Sequence, residues 1–111
     1  MIKIINGSSF VETFEFSTPN SKLISCDNVP VGIIDYIETD EYVKIMYIQI
    51  LDEHRRQGIA GKVIETIKLQ NRGKYMYGDS LPGAIDFWDC MGAEFDEDPD
   101  EDYLTPFHIE C

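Results

Sequence analysis

One short segment of this 111-residue chain combines small residues with fixed positive charge. It reads Arg55-Arg56-Gln57-Gly58-Ile59-Ala60-Gly61-Lys62, and it lies where an apolar run gives way to a helical pattern. Small residues let a diphosphate approach the backbone, and the unpaired first N–H groups of a helix favour an anion. The segment therefore predicts a site for a diphosphate-bearing ligand. The alternative is a glycine-rich loop that only turns the chain.

The charge distribution supports the anion site. The chain carries 9 basic and 21 acidic residues, for a net charge of −12. The stretch from Arg55 to Lys74 is the exception, because six of its residues are basic and only Glu65 is acidic. A protein this acidic repels nucleic acid and anionic membranes, so we expect neither as a partner. The basic stretch is either a dedicated site for an anionic ligand or a solvated helix face.

Residue patterns place this segment between a long strand and a helix. Val43–Leu51 is the longest β-prone run, and its near-continuous apolarity predicts a strand that is buried on both faces. Further predicted strands are Met1–Ile5, Phe10–Phe16, Lys22–Cys26, Val31–Ile37, Lys74–Tyr77, Ala93–Phe95 and Tyr103–Ile109, the last confined to a sheet edge by Pro106. Asp27-Asn28 predicts a tight reversal, so Lys22–Leu51 is expected to form a three-stranded meander.

Two helices follow from the spacing of apolar residues. Ile59, Val63, Ile64 and Ile67 share one helical face, and Gly73 is the expected terminator. Pro82 can begin a second helix, which carries Ile85, Trp88 and Met91 on one face and stops at Gly92.

Composition indicates one ordinary globular domain over residues 1–111. Apolar residues make up 43% of the chain, and no apolar run approaches the ~20 residues of a membrane span. The three cysteines are widely spaced and form no CxxC pair. We therefore expect a cytoplasmic protein with reduced thiols. The alternating acids of Asp96–Asp102 lack the glycine and glutamate that an EF-hand loop requires, and His108 and Cys111 have no clustered co-ligands, so no metal site is expected.

Two motifs resemble those of the GNAT N-acetyltransferase family. Arg55-x-x-Gly58-x-Ala60 is similar to the family's R/Q-x-x-G-x-G/A signature, and it follows a long strand and opens a helix, as that signature does. The run from Ala84 to Ala93 resembles the family's second motif, A-x-x-F-Y-x-x-x-G-F. The resemblance implies an α+β fold with a mixed, mostly antiparallel sheet flanked by helices. The helical region near the N-terminus would be shortened.

The resemblance also implies which residues bind acetyl-CoA, the expected co-substrate. The backbone from Arg56 through Gly61 would hold the pyrophosphate, and the backbone of Ile48–Ile50 would pair with the pantetheine arm. Arg55, Lys62 or Lys68 would neighbour the 3′-phosphate. The full set of expected cofactor-binding residues is Ile48, Gln49, Ile50, Arg55, Arg56, Gln57, Gly58, Ile59, Ala60, Gly61 and Lys62.

The chain departs from the family pattern on the catalytic side. Trp88 stands where many members carry a catalytic tyrosine, and an indole cannot protonate a departing thiolate. The catalytic residues are therefore unassigned, with Tyr47, Asp79 and Cys90 as candidates. Tyr75, Tyr77 and solvent are further alternatives for the acid, and Glu41, Asp52, Glu53, His54 or Asp79 could serve as the base. Met1–Ser21 is too short for the two helices usual in the family, so the acceptor side should be open or completed by a partner subunit in a homodimer.

The expected activity is N-acetyl transfer by direct attack of an amine on the thioester. The acidic balance outside the basic stretch suits a cationic acceptor, either a small amine or the lysine or N-terminus of a protein. Two alternatives remain open at this stage. One is a GNAT-like protein that binds CoA without catalysis. The other is a small acidic inhibitor of the DNA-mimic or phage type, which would have no use for the Arg55–Lys62 loop.

Overall fold

The computed structural model describes residues 1–6, 14, 17–55 and 57–111 of the chain. Within these ranges a seven-stranded sheet is accompanied by two α-helices. The strands are β1 (Ile2–Ile5), β2 (Lys22–Cys26), β3 (Val29–Glu38), β4 (Tyr42–Ile50), β5 (Tyr75–Ser80), β6 (Glu94–Phe95) and β7 (Thr105–Glu110); the helices are α1 (Ile59–Gln70) and α2 (Ile85–Cys90); short 3₁₀ turns cover Asp52–His54 and Pro82–Ala84. The strand order is β1-β2-β3-β4-β5-β7-β6, in which only β4 and β5 run parallel. The predicted α+β class with a mixed, mostly antiparallel sheet is confirmed.

The meander of β2, β3 and β4 begins with a two-residue hairpin loop. Asp27 and Asn28 both adopt positive φ, at 51° and 69°. A two-residue loop with positive φ at both positions matches the right-handed twist of the flanking strands, and Asp and Asn tolerate that conformation better than most residues. The tight reversal predicted from the sequence is confirmed.

Helix α1 is the crossover that joins the two parallel strands. Its buried residues are Ile59, Val63, Ile64 and Ile67, as the spacing predicts. Gly73 follows the helix with φ +85°, a conformation that strains any residue with a Cβ. Helix α1 therefore carries the chain from the end of β4 back to the start of β5.

Helix α2 packs on the same face of the sheet as α1. Trp88 of α2 is 5% exposed, and its ring stacks on Phe107 of β7 with centroids 4.3 Å apart. Trp88 and the buried residues of α1 belong to one apolar cluster that also contains Val43 and Met76. We call this covered side the inner face and the opposite side the outer face. On the outer face a smaller cluster joins Phe14 to Leu23 of β2 and Ile33 of β3.

Two strands form where predicted, but the predicted burial of one and the predicted edge position of the other are wrong. The run Val43–Leu51 is not buried on both faces, because Lys44 and Met46 are exposed on the outer side. Strand β7 is not at an edge but lies between β5 and β6. Pro106 is tolerated there because β6 pairs only with Phe107 and His108, so no β6 carbonyl requires an N–H from the proline.

The remaining predicted strands differ mainly in length. Strand β5 extends to Ser80, beyond the predicted Tyr77, and β3 reaches from Val29 to Glu38. The predicted strand Phe10–Phe16 lies outside the described residues except for Phe14, which is buried. None of the helices in the described ranges has the length and apolar character that crossing a bilayer requires.

Candidate functional site

Strands β4 and β5 form a fork. They pair over only three positions, Tyr42 with Tyr75, Val43 with Met76 and Lys44 with Tyr77. Both strands lie wholly within the described residues, and beyond this point neither finds a ladder partner in the other. Each stays paired on its far side, β4 with β3 as far as Ile50 and β5 with β7 as far as Ser80. The fork therefore opens an unpaired backbone edge inside the sheet.

A β-bulge in β4 accounts for the fork. Asp35 of β3 pairs with Tyr47, whereas the next residue, Tyr36, pairs with Ile45. Met46 is thus the extra residue, and it lies just beyond Lys44, the last β4 residue that pairs with β5. A bulge bends its strand and increases the local twist, which carries β4 away from β5. The arm of β4 beyond the fork pairs with β3 but not with β5, and it contains Ile48, Gln49 and Ile50, the residues predicted to pair with a pantetheine arm.

The loop after β4 is tied back to the strand by Arg55. Its Nε–H donates to the carbonyl oxygen of Ile50 at 3.0 Å, and its guanidinium lies 2.8 Å from Asp52. Both side chains of the ion pair are mostly exposed, so the pair contributes little to stability. The contacts fix the path from β4 into the loop, which gives Arg55 a positioning role beside the gap.

The N-terminus of α1 lacks the groups that usually satisfy a helix end. Gly58 is the N-cap residue with φ +74°, no side chain caps the helix, and the first turn contains no acidic residue. The N–H of Lys62 donates to the Gly58 carbonyl and so closes the first turn. None of the described residues accepts a hydrogen bond from the preceding N–H groups of the helix, and the helix dipole adds partial positive charge there. Arg56 lies outside the described residues.

The small residues of the loop divide into two roles. Nothing lies within 4 Å of a Cβ placed on Gly58, so only its backbone conformation requires glycine. A Cβ on Gly61 would lie 3.7 Å from the sulfur of Met91, which is ordinary packing distance. Gly61 and the half-buried Ala60 are therefore residues at which α1 packs against the rest of the protein. Gln57 and Gly58 are exposed to solvent.

The basic residues between Arg55 and Lys74 also fall into two groups, those with protein partners and those exposed near the helix end. Lys68 donates to the carbonyl of Met91 at 3.2 Å, and Lys74 donates to the carbonyl of Thr39 at 2.8 Å. These two lysines hold elements of the fold together. Lys62, by contrast, is exposed in the first turn of α1, beside the helix N-terminus. Of the three residues considered for the 3′-phosphate, Arg55 and Lys68 thus have protein partners, and Lys62 is placed to contact an anion at the helix end.

The three catalytic candidates lie on three different elements. Tyr47 lies half-buried on the arm of β4 beyond the fork, where it pairs with Asp35 of β3. Asp79 lies exposed on the arm of β5 beyond the fork, where it pairs with Pro106 of β7. Both are on the outer face, on opposite sides of the gap. Cys90 is exposed at the C-terminal end of α2, the helix that covers the inner face. Trp88 is buried in the core, so its place in the motif serves packing.

The sequence predicts a role for the backbone of Gln49 but not for its side chain, which is a polar group beside the gap. The side-chain oxygen Oε1 of Gln49 is buried, and no described residue donates a hydrogen bond to it. Gln49 pairs with the fully buried Ile33 and shares the outer face with Tyr47 and Leu51. An unsatisfied buried acceptor is costly, which makes Gln49 a candidate to bind an N–H donor. In the sequence, the sign of this side chain is that Gln49 is a single polar residue between Ile48 and Ile50.

The described residues contain no group of three or more His, Cys, Asp or Glu side chains that could hold a metal ion. The acids of the Asp96–Asp102 loop and the pair His108 and Cys111 therefore form no described metal cluster. Instead, each ring nitrogen of His108 faces a carboxylate, with Asp96 at 2.7 Å and Glu94 at 3.3 Å.

Comparison with known proteins identifies the fold. No family model matches the sequence, and no curated protein matches it. Solved structures do match. Arabidopsis thaliana Naa50, in complex with the bisubstrate analogue CoA-Ac-MVNAL, superposes with a TM-score of 0.72 at 14% identity over 99% of both chains. A GNAT family acetyltransferase from Elizabethkingia anophelis with acetyl-CoA bound gives 0.72 at 13% identity, over 100% of this chain and 97% of that one. The PaiA N-acetyltransferase of Thermoplasma acidophilum in complex with coenzyme A gives 0.63 at 14% identity, over 82% of this chain and 60% of that one. The chain therefore has the GNAT acetyltransferase fold.

Proposed function

We propose that this GNAT-fold chain is an N-acetyltransferase that uses acetyl-CoA as co-substrate and transfers the acetyl group to a cationic amine. The observation that carries the proposal is the meeting of two features at the end of β4. The β4–β5 fork leaves an unpaired strand edge, and the uncapped N-terminus of α1 follows after one loop. The structural neighbours that contain acetyl-CoA, CoA or a CoA analogue support the same ligand.

The fork and the helix end suit the two halves of CoA. The pantetheine arm carries amides that can pair with backbone groups of Ile48–Ile50 on the edge that faces the gap, as an added strand would. The Ile50 carbonyl on this edge already accepts a hydrogen bond from Arg55. The pyrophosphate is a dianion, which the N–H groups from Gly58 to Gly61 can bind without competition from a capping side chain. Lys62 supplies the neighbouring positive charge.

The acceptor approaches from the outer face in this proposal. Within the described residues both helices cover the inner face. On the outer face Phe14 packs beside Tyr47 and Leu51 at the β4 arm, so the approach is at the β5 arm, where Asp79 is exposed. In this proposal the exposed Asp79 on one arm attracts a cationic amine and receives its proton, directly or through water. The Gln49 side-chain oxygen on the other arm accepts a hydrogen bond from the amine once it has entered.

The proposed reaction has two parts, deprotonation of the amine and its attack on the thioester. An ammonium group of pKa ~10.4 must lose a proton before its nitrogen can attack the thioester carbon. The new C–N bond forms as the C–S bond breaks, and the thiolate takes a proton from solvent. Trp88 takes no part in this step, because it is buried against Phe107 and has no acidic proton to give.

Calorimetric titration with acetyl-CoA tests the first half of the proposal. We expect one saturable site per chain whose affinity falls as salt is raised, because charged phosphates bind at Lys62 and the helix end. Absence of binding up to about 1 mM, the upper range of typical Michaelis constants, would exclude the proposal.

Chromatographic detection of released CoA tests the second half. The panel should contain a lysine-rich peptide, a polyamine and an uncharged amide control. Acetylation of a cationic amine, with mass spectrometry of the product, is the expected result. Binding of acetyl-CoA without turnover of any amine would instead identify a CoA-binding protein of GNAT fold.

A further inference from the structure

The outer face of β4, β5 and β7 exposes a row of aromatic rings. The tyrosine face, as we call it, consists of Tyr42, Tyr75, Tyr77 and His108. Ring centroids are 6.1 Å apart for Tyr42 and Tyr77, 6.3 Å for Tyr75 and Tyr77, and 6.1 Å for Tyr75 and His108. The three tyrosines are 38–45% exposed although they lie in the middle of a sheet. The rings thus form one continuous surface across three strands.

Two aliphatic side chains extend this surface. Ile37 of β3 pairs with Lys44 of β4, and Met46 is the bulge residue of β4; they are 48% and 52% exposed. Contiguous exposed apolar surface of this kind usually marks an interaction site. In the described part of the chain α1 and α2 cover only the opposite face, and Phe14 covers the outer face near Leu23 and Ile33 of β2 and β3.

Acidic groups surround the tyrosine face. Glu110 pairs with Tyr75, Asp79 follows Tyr77 on the same side of β5, and Glu94 and Asp96 flank His108. The structure describes β4 and β5 throughout, and Lys44 is the one basic residue among their outward-facing positions. The charge of the surface is therefore negative. With a net charge of −12, a second copy of the chain would be repelled from it.

We propose that the tyrosine face docks a basic segment of a polypeptide. Lysine or arginine side chains would lie over the tyrosine rings and pair with the surrounding carboxylates. The chain already contains such a contact, because the ammonium of Lys22 lies 4.4 Å from the ring centroid of Tyr36. A row of four rings is larger than a single small amine can cover, so the surface favours a segment with several cations.

The tyrosine face adjoins the fork. Tyr77 is the last β5 residue that pairs with β4, and Asp79 lies two residues beyond it on the same side. A docked segment therefore lies at the mouth of the gap. Resting in this respect on the proposed function, we infer that the docked segment carries the acceptor amine and that the acceptor is a protein.

The test measures docking without acetyl-CoA. The probe is a fluorescein-labelled peptide of alternating glycine and lysine, and the readout is fluorescence anisotropy at low and moderate salt. The variant is Tyr75→Ala with Tyr77→Ala. Tyr103→Ala is the matched control, because Tyr103 follows the Asp96–Asp102 loop, is 71% exposed and lies outside the ring row.

We expect the double variant to weaken peptide binding about five- to thirtyfold, as the loss of two exposed cation–π contacts predicts. The control should bind within about twofold of the parent protein, the scale of ordinary surface substitutions. Tyr75→Phe with Tyr77→Phe keeps both rings and should retain binding. It also keeps the proposal testable if the alanine variant does not fold, since circular dichroism and thermal melting report folding of each variant.

Three outcomes would overturn the proposal. The first is equal binding by the parent protein and a folded alanine variant. The second is loss of binding in the phenylalanine variant. The third is a dimer, seen by sedimentation, that the alanine substitutions dissociate, because the face would then be a self-interface. Titration of the alanine variant with acetyl-CoA separates this proposal from the proposed function: unchanged acetyl-CoA affinity with lost peptide binding assigns the effect to docking alone.

Discussion

Gly78 of β5 and Phe107 of β7 face each other across the strand ladder, and a Cβ on Gly78 would lie 2.6 Å from Cζ of Phe107. The contact is on the inner face, where Phe107 stacks on Trp88. Gly78 therefore makes room for the ring that holds α2 against the sheet. This arrangement gives Trp88 a structural role in a motif where many members of the family that this sequence resembles carry a catalytic tyrosine.

Gly78→Ala should destabilise the fold by about 1–3 kcal/mol, because the added methyl overpacks Phe107. Urea denaturation measures the change in the free energy of unfolding. Gly83→Ala is the matched control, since nothing lies within 4 Å of a Cβ at that position. The control should change stability by no more than about 0.5 kcal/mol. Equal stability of the two variants would show that the Phe107 ring shifts at little cost.

Gly58→Ala should weaken acetyl-CoA binding about tenfold, because the strained residue moves the first turn of α1 away from the pyrophosphate. Gly73→Ala carries the same kind of strain, with φ +85° and open space around its Cβ, but at the other end of α1. Both variants should lose about 1–2 kcal/mol of stability. Calorimetry should show normal acetyl-CoA affinity only for Gly73→Ala. Parallel losses of affinity would remove the special role of the Gly58 loop.

Gln49→Leu should raise stability by up to about 1 kcal/mol, because it replaces a buried acceptor without a described partner by an apolar group. The same change should raise the Michaelis constant for the amine several-fold and leave acetyl-CoA affinity unchanged. Gln70→Leu, at an exposed position at the end of α1, provides the control. A destabilised Gln49→Leu protein with unchanged kinetics would mean that the amide serves the fold alone.

The cysteines should differ in their rates of alkylation. Burial raises the pKa of the Cys111 thiol above its ordinary value of 9.0, with nearby lysines opposing the shift. Since the thiolate is the reactive form, Cys111 should react with iodoacetamide more slowly than the exposed Cys90 at pH 8. Peptide mapping by mass spectrometry measures both rates. Faster reaction of Cys111 would contradict the described burial.

The raised pKa of Cys111 should make the stability of the fold depend on pH. The folded state holds the Cys111 proton above the pH at which the unfolded thiol loses it. The free energy of unfolding should therefore be unaffected below the ordinary thiol pKa and should fall as pH rises from that value through the raised pKa of the folded thiol. Denaturation of Cys111→Ser over the same range should show less of this fall.

Peptide mapping after incubation with acetyl-CoA also tests Cys90, since an acetylated thiol would identify it as an acyl carrier.

Local pattern determined much of the fold. The spacing of Ile59, Val63, Ile64 and Ile67 determined α1, and Asp27-Asn28 determined the β2–β3 turn. These features depend on residues a few positions apart, so helix periodicity and turn conformation can be read directly from the chain. The order of strand, loop and helix around Gly58 was determined in the same way, and with it the position of the candidate anion site.

Tertiary structure decided what each element faces. The sequence could not show that β4 exposes Tyr42 and Lys44, or that β7 lies inside the sheet, because strand pairing joins residues far apart in the chain. It grouped Lys62 with Lys68, whereas the fold gives Lys68 a partner in Met91 and leaves Lys62 exposed. The fork itself depends on a bulge at Met46, an offset between two strands that exists only once they have paired.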